Sequence, residues 1–268
     1  MKPQTVFMAE MTNPELEAFL AKAGDGSTVL VPVGSTEQHG PHGPLGTDAF
    51  IPTEIAGRIA REIGAIVAPT VNYGLSYPHA GFTGVIYLRM STFAALMEDL
   101  CAQLSAMGFR RIVFLNGHYD NTYAIAYACA AAADAGRLAQ HCRAFPVNYW
   151  DGMTPDEAAE FFDPANGLHA NKGETSAVLA INPDYVDMAA ANIEMPPFPE
   201  VAAGGAAVHT AFFFSVPGSI KRATSSGTWG DAREANAAFG QRYLDVVTRT
   251  TVRLLTDIEH TFAALPDR

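Results

Sequence analysis

Glu37, His39, Asp48, His118 and Asp120, all side chains that bind divalent metals, fall in two short stretches of this sequence. The first, residues 34–48, reads Gly34-Ser35-Thr36-Glu37-Gln38-His39-Gly40-Pro41-His42-Gly43-Pro44-Leu45-Gly46-Thr47-Asp48. Its glycines and prolines exclude a helix or a central strand, so an irregular backbone must hold its ligating groups. The second reads Asn116-Gly117-His118-Tyr119-Asp120-Asn121. In extended backbone, residues two apart share a side, which pairs Glu37 with His39 and His118 with Asp120. Carboxylate and imidazole suit borderline divalent ions, and a pair of such ions in a hydrolytic site activates water and polarises a carbonyl. Three carboxylates nearly balance two dications, and Asp48, with two oxygens to share, is the natural bridging group.

The elements that must position these groups alternate. Residues 28–34 form a short apolar, β-branched run after a helix at 14–22, and Asp48 opens a helical pattern through Ile51, Ile55, Ile59 and Ile63. An apolar segment at 65–69 leads to a Gly/Tyr/Pro-rich loop at 72–87, a second functional loop, and then to a helix at 92–107 closed by Gly108. Residues 111–115 are the next strand, ending at the His118 stretch and followed by an Ala-rich helix at 122–135. A further strand near 143–149 leads to an irregular segment holding His169, and Glu174 opens another helix. A long helix is expected at about 232–258, and the Gly/Ala/Ser-rich stretch 201–230 is the most linker-like, although its Phe212-Phe213-Phe214 run suggests packing. Strands alternating with helices imply an α/β fold with a mainly parallel sheet, whose sites form beyond the strand C-termini, where both His-bearing loops lie. No G-x-G-x-x-G follows the first strand, which argues against a dinucleotide site.

The 268 residues, with 49% hydrophobic and 17% charged, suit one large domain spanning 1–268. A net charge of −11 argues against a nucleic-acid partner. Cys101, Cys129 and Cys142 lack C-x-x-C spacing and read as reduced, buried thiols, which fits a cytoplasmic setting. No leader-like start and no membrane-spanning apolar stretch is evident, so a soluble protein is expected.

Taken together, the motifs resemble the creatininase (creatinine amidohydrolase) family. Its hallmarks are a Gly-Ser-x-Glu-Gln-His-Gly-Pro-His loop, an Asp nine residues after the first His, an Asn-Gly-His loop and a His-x4-Glu-Thr-Ser segment. They stand here as residues 34–42, Asp48, residues 116–121, and His169 with Glu174-Thr175-Ser176. The resemblance implies a three-layer αβα fold and a binuclear hydrolase of small cyclic amides or related C–N bonds, using Zn²⁺ and/or Mn²⁺, with Fe²⁺ an alternative. One ion takes Glu37, Asp48 and His118, and the other takes His39, Asp48 and Asp120. The creatininase pattern has Glu where Asp120 stands, and other family branches have Gly; with this shorter side chain the resemblance implies a second ion that sits differently, binds more weakly or borrows Glu174 as a ligand. His169 matches the acid/base histidine and forms, with Glu174, the candidate catalytic pair. Creatininase proper carries Trp four residues before that histidine; here the position is Ala165, which points away from creatinine itself. Tyr119 matches a substrate-contacting Tyr, Ser76, Tyr77 and His79 lie in the substrate-side loop, and Trp150 ends a strand at the active edge. A hexamer is the assembly the resemblance implies. The alternatives are ring-opening of a non-amide carbonyl substrate and a catalytically silent binding member. On the residues alone, Asp48 and Asp120 could instead be N-caps, His42 a supporting hydrogen-bonding group, and Glu174 a dipole-stabilising helix start.

Overall fold

The computed structural model describes residues 5–161, 167–197 and 205–264. Strands β1 (Thr28–Val33), β2 (Ile66–Val67), β3 (Arg111–Asn116) and β4 (Arg143–Asn148) form a parallel sheet in the order β2-β1-β3-β4. Parallel neighbours need a crossover between them, and the sequence supplies helices for it. Helix α1 (Asn13–Ala23) precedes β1, and α2 (Thr47–Ile63), α3 (Met90–Met107) and α4 (Thr122–Asp134) follow β1, β2 and β3. The register sets Val33 opposite Asn116 and Asn116 opposite Asn148, so three strands finish level and release their loops at one rim.

Alternation along the strands sorts the core into two layers. Val29, Val31, Val33, Ile112 and Phe114 pack with Phe93 and Met97 of α3 and Ile125 of α4. Leu30, Val113 and Leu115 face the other way, against Ile51 and Ile55 of α2. That second layer is completed by α6 (Lys172–Ile181) and α9 (Ala237–Ala264), represented by Val178 and by Tyr243 and Val247, after the short α5 (Pro155–Phe161). With both faces covered, the central strands β1 and β3 are buried almost throughout and read as unbroken apolar runs, whereas the edge strand β4 is buried only at its end. The result is an α/β fold of three layers, helix-sheet-helix. Pro32 is tolerated inside β1 because Leu30 and Pro32 aim their polar groups at the β2 side, where the paired residues end at Val67. Cys101, Cys129 and Cys142 are buried and unbridged. Among the described residues no helix is long and apolar enough to cross a membrane.

Beside the main sheet lies an antiparallel one, β5 (Gly167–His169), β6 (Ile193–Glu194) and β7 (Trp229–Asp231), in the order β5-β7-β6. His169, expected in an irregular segment, therefore ends a strand opposite Trp229. A three-residue strand shows no alternation in sequence, and Gly167 hides it further. Its φ of +88° and the Trp229 and Gly230 backbone, which a Cβ would meet at 2.1–2.2 Å, require glycine there. The linker-like stretch 201–230 contains α7 (Gly205–Ser215) and α8 (Ser219–Ala223). The last helix starts at Ala237 rather than near 232, because Asn236 accepts from the Phe239 N–H at 2.9 Å and so caps it. Ala165 lies outside the described residues.

Two glycines seat the N-terminus of α2 against the sheet rim. A Cβ at Gly34 would lie 2.4 Å from the Asp48 carbonyl oxygen, and one at Gly117 would lie 2.5 Å from the same atom and 2.6 Å from Pro52 Cγ. Gly117→Ala is expected to cost about 1–3 kcal/mol in urea unfolding, the range for overpacking a tight contact. Gly26→Ala, whose Cβ would meet Arg111 Nη1 only at 3.9 Å, should stay within about 0.5 kcal/mol. Equal effects of the two changes would refute this account of the seat.

Candidate metal centre and active site

Asp48 lies in the first turn of α2 without capping it. Its side chain points across the rim instead, with Oδ1 3.1 Å from His39 Nε2 and Oδ2 3.0 Å from His118 Nδ1. Glu37 joins from the opposite side, its Oε2 3.3 Å from His118 Nδ1 and its Oε1 3.2 Å from His79 Nε2. All of these side chains are buried. The outer nitrogens are held by backbone carbonyls: His118 Nε2–H donates to Leu75 O at 3.2 Å and His39 Nδ1–H to Glu37 O at 3.4 Å. That fixes the inner nitrogens toward the carboxylates, the orientation metal-binding imidazoles need.

His169 Nε2–H donates to Gln38 O at 2.7 Å, leaving Nδ1 3.8 Å from Glu37 Oε1. Gln38 is the bracket for this side, its Nε2 2.9 Å from His79 Nδ1 and donating to Gly227 O at 3.1 Å. Ser35 Oγ donates to Glu37 Oε2 at 2.8 Å and also bonds Ser76. Behind the rim, Asn121 accepts from the Leu75 N–H at 2.9 Å and donates to Gly34 O at 3.0 Å, tying the 72–87 loop to the end of β1. Between β5 and α6 the chain turns through Ala170 at φ +54°, a left-handed position that costs an L-residue roughly 1–2 kcal/mol. The turn lets His169 and Glu174 face the same cluster.

Three donor groups have their ligand atoms within 4.8 Å of one another: Glu37 with Asp48 and His118, His39 with Asp48 and Glu174, and Glu37 with His39 and His169. Asp48 Oδ2 is buried with no hydrogen-bond partner of acceptable geometry, despite the neighbouring His118. A buried, unsatisfied carboxylate oxygen aimed between two imidazoles and a second carboxylate fits a divalent cation.

Asp120 departs from the expected arrangement. It lies at the outer nitrogen of His118, its Oδ2 3.6 Å from Nε2, and is in none of the three groups. One methylene short of Glu, it stays behind the imidazole, and Glu174 takes the place beside His39 and Asp48. Glu174 also accepts the Ala170 N–H at 2.7 Å through Oε2, so its helix-start role and its cluster role coexist. His42 bonds Thr175 Oγ1 at 3.0 Å and joins none of the groups.

The centre opens into a cavity of about 820 Å³ whose lining includes Tyr119, Trp150 and His79 from the expected substrate side. Ser76 and Tyr77 are not in the lining. Ser76 is fully buried behind Glu37, and Tyr77 packs edge-on to Tyr87 at 6.2 Å. The backbone bends at residues 77–79, so that Pro78 and His79 face the cavity while Ser76 and Tyr77 do not. The sequence reading missed Gln38, Leu168, Phe213, Phe214 and Trp229. Gln38 sat unassigned inside the motif, and the apolar four carry no chemical signature.

Burial and charge set the protonation of the centre. Burial lifts Glu37, which the neighbouring histidines partly offset, to about 7. For His39 burial acts downward, but the Asp48 carboxylate outweighs it and the group rises to about 9. His118 is likewise raised well above its ordinary value, with Glu37, Asp120 and Asp48 outweighing burial. Burial and the charge of His39 push His169 down to about 3, and burial raises Glu174.

Comparison with known proteins gives this geometry a context. The family model described as creatinine amidohydrolase matches residues 9–255. The creatinine amidohydrolase of Pseudomonas putida is 32% identical over 257 residues, 91% of this chain and 93% of that protein. The chain belongs to the creatininase family. A mycofactocin precursor peptide peptidase of Mycolicibacterium smegmatis is 38% identical over 164 residues, 59% of each protein. Among solved structures, a creatininase variant of Zn-Zn type superposes with a TM-score of 0.79 at 28% identity, and a Mn creatininase with 0.79 at 30%. Each comparison covers 95% of this chain and 98% of the other. The creatininase relationship agrees with the fold, and the divalent-metal forms agree with the donor groups.

If Glu174 and not Asp120 completes a metal site, Glu174→Gln lowers the metal bound per chain, whereas Asp120→Asn keeps the stoichiometry and weakens affinity about 10–100-fold. Elemental analysis after equilibrium dialysis decides it, and loss of stoichiometry in Asp120→Asn alone would reverse the assignment. Protonation adds a second prediction. Glu37 and His39 hold protons in the folded metal-free state that the unfolded chain has already released, so the Glu37 contribution to stability is lost between about 4.5 and about 7 and the His39 contribution between about 6.5 and about 9, which leaves His39 to act above pH 7. The Tm of chelator-treated protein should therefore fall between pH 7 and pH 9, and metal loading should flatten that fall by displacing the protons. A metal-free Tm that rises over this window would contradict the assignment.

Proposed function

We propose that the chain is a metal-dependent amidohydrolase that opens a small cyclic amide or cleaves a related C–N bond. The observation that carries the reading is Asp48, shared by two donor groups at the floor of a cavity that His169 also lines. We assign one divalent ion to Glu37, Asp48 and His118 and a second to His39, Asp48 and Glu174, with Asp48 common to both. Zn²⁺ and Mn²⁺ are the favoured metals, in line with the two creatininase structures, and Fe²⁺ also suits the donors. Such ions lower the pKa of a water molecule and polarise a carbonyl.

The protein's own groups do the rest. His169, its Nε2–H held by Gln38 O, presents an unprotonated Nδ1 to the cluster. It takes a proton from the attacking water and delivers it to the departing nitrogen. Hydrolysis adds one water across the C–N bond, with hydroxyl to the carbon and hydrogen to the nitrogen. Gln38 keeps His79 and His169 in register, and Asp120 orients His118 from behind. Tyr119 and Trp150 flank the substrate.

The test is to quantify bound metal and follow hydrolysis of creatinine, hydantoins and N-formyl amines before and after chelation. Turnover that vanishes on chelation and returns with Mn²⁺ or Zn²⁺ is the expected result. His169→Ala should lower kcat by about 10²–10⁴ while the metal content is unchanged. Turnover indifferent to chelation, or to His169→Ala, would refute the proposal.

A further inference from the structure

The cavity has two unlike ends. Its floor is the ionisable cluster, and its walls are apolar: Leu168 of β5, Phe213 and Phe214 of α7, Ile220 of α8, Trp229 of β7 and Trp150 after β4. Leu168 is 54% exposed and Phe214 48%, so these side chains line open space rather than filling a core. A volume of about 820 Å³ lies in the upper part of the roughly 300–1,000 Å³ that encloses drug-sized ligands, far more than a bare five-membered lactam fills.

Charge restricts the occupant further. Glu37, Asp48, Asp120 and Glu174 all line the cavity, and among the described lining residues there is no Lys or Arg. Four carboxylates match two dications, so a carboxylate or phosphate on the substrate meets no spare positive charge. Moving such a group from water into an apolar wall is costly.

Resting on the amidohydrolase reading, we propose that the substrate is a neutral amide carrying a bulky apolar substituent of aromatic size, seated against Phe213, Phe214 and Trp229. The reacting carbonyl lies at the cluster, and the substituent projects toward α7. Small polar lactams and anionic amides are poor substrates because the wall gives them nothing to bind.

Two measurements test this. On Mn²⁺-loaded protein, calorimetry compares 3-phenylpropionohydroxamate, acetohydroxamate and succinic acid monohydroxamate. The phenyl compound is expected to bind about tenfold or more tightly than acetohydroxamate, given the apolar area it buries, and the carboxylate compound most weakly. Phe213→Ala should shrink the phenyl preference and Phe213→Leu restore most of it. In parallel, hydrolysis of 5-benzylhydantoin is compared with that of 5-methylhydantoin and hydantoin-5-acetate, with the same order expected in kcat/KM. Equal binding of the phenyl and methyl compounds, or tightest binding of the carboxylate, overturns the proposal. Phenyl-selective binding without metal-dependent hydrolysis of any of the rings leaves the ligand class standing and overturns the hydrolytic reading.

Discussion

The structure depends on a buried carboxylate held between two imidazoles. Asp48 sits 4% exposed between His39 and His118, with Glu37 nearby at 1%. Removing such charges from water costs several kcal/mol per ion unless a counter-charge replaces the lost hydration. Without metal, protons supply the counter-charge, which is why His39 and His118 are raised while Asp48 is lowered, their attraction outweighing burial. A divalent cation at the same place satisfies the carboxylates directly and releases the protons. The centre is thus built for positive charge.

Holding that cluster requires a rim that does not relax. The level ends of β1, β3 and β4 provide it, with Asn116 donating to Asn148 at 2.8 Å and to His118 O at 2.7 Å. Gly34 and Gly117 bring the α2 backbone close enough for Asp48 to reach across. Larger residues would move the carboxylate by about the overlap they create, enough to pull it out of reach of His39 and His118. The left-handed turn at Ala170 is the local cost of presenting His169 and Glu174 from adjoining elements, and strain of this kind collects where a site demands an unusual path.

What the sequence made legible follows from how each signal is encoded. The parallel strands were readable because a sheet covered on both faces gives unbroken apolar runs, as in Val29-Leu30-Val31 and Ile112-Val113-Phe114-Leu115. That Glu37, His39, Asp48 and His118 converge on one buried cluster was readable because their residue types and spacing suit a common site. Asp120 was not readable in this way: spacing puts it beside His118, but which nitrogen it meets depends on the turn at 119–121. Glu174 enters through the packing of α6 against α2 and α9, a tertiary fact that no local pattern states. The same limit hid β5, whose three residues are specified by their partner Trp229 and not by their own alternation.

The two ends of the cavity come from different parts of the fold. Most of the ionisable cluster leaves the parallel sheet between residues 34 and 120, whereas the apolar wall, apart from Trp150 just after β4, is contributed by the antiparallel sheet, α7 and α8. Substitutions in the wall leave the register of β1 and β3 untouched, so Asp48 stays placed while the space above it changes. His169 and Glu174 are where the two parts meet: His169 ends the short strand β5 and Glu174 follows it, yet both face the cluster. Changes in β5 or in the Ala170 turn therefore touch both the cluster and the wall, as do changes at Phe213, whose ring packs on Trp229 opposite His169, whereas Phe214 stands half exposed on α7. On the proposed reading, Phe214 of α7 is the wall residue whose replacement changes what the cavity accepts with the least effect on how the carboxylates and imidazoles are held.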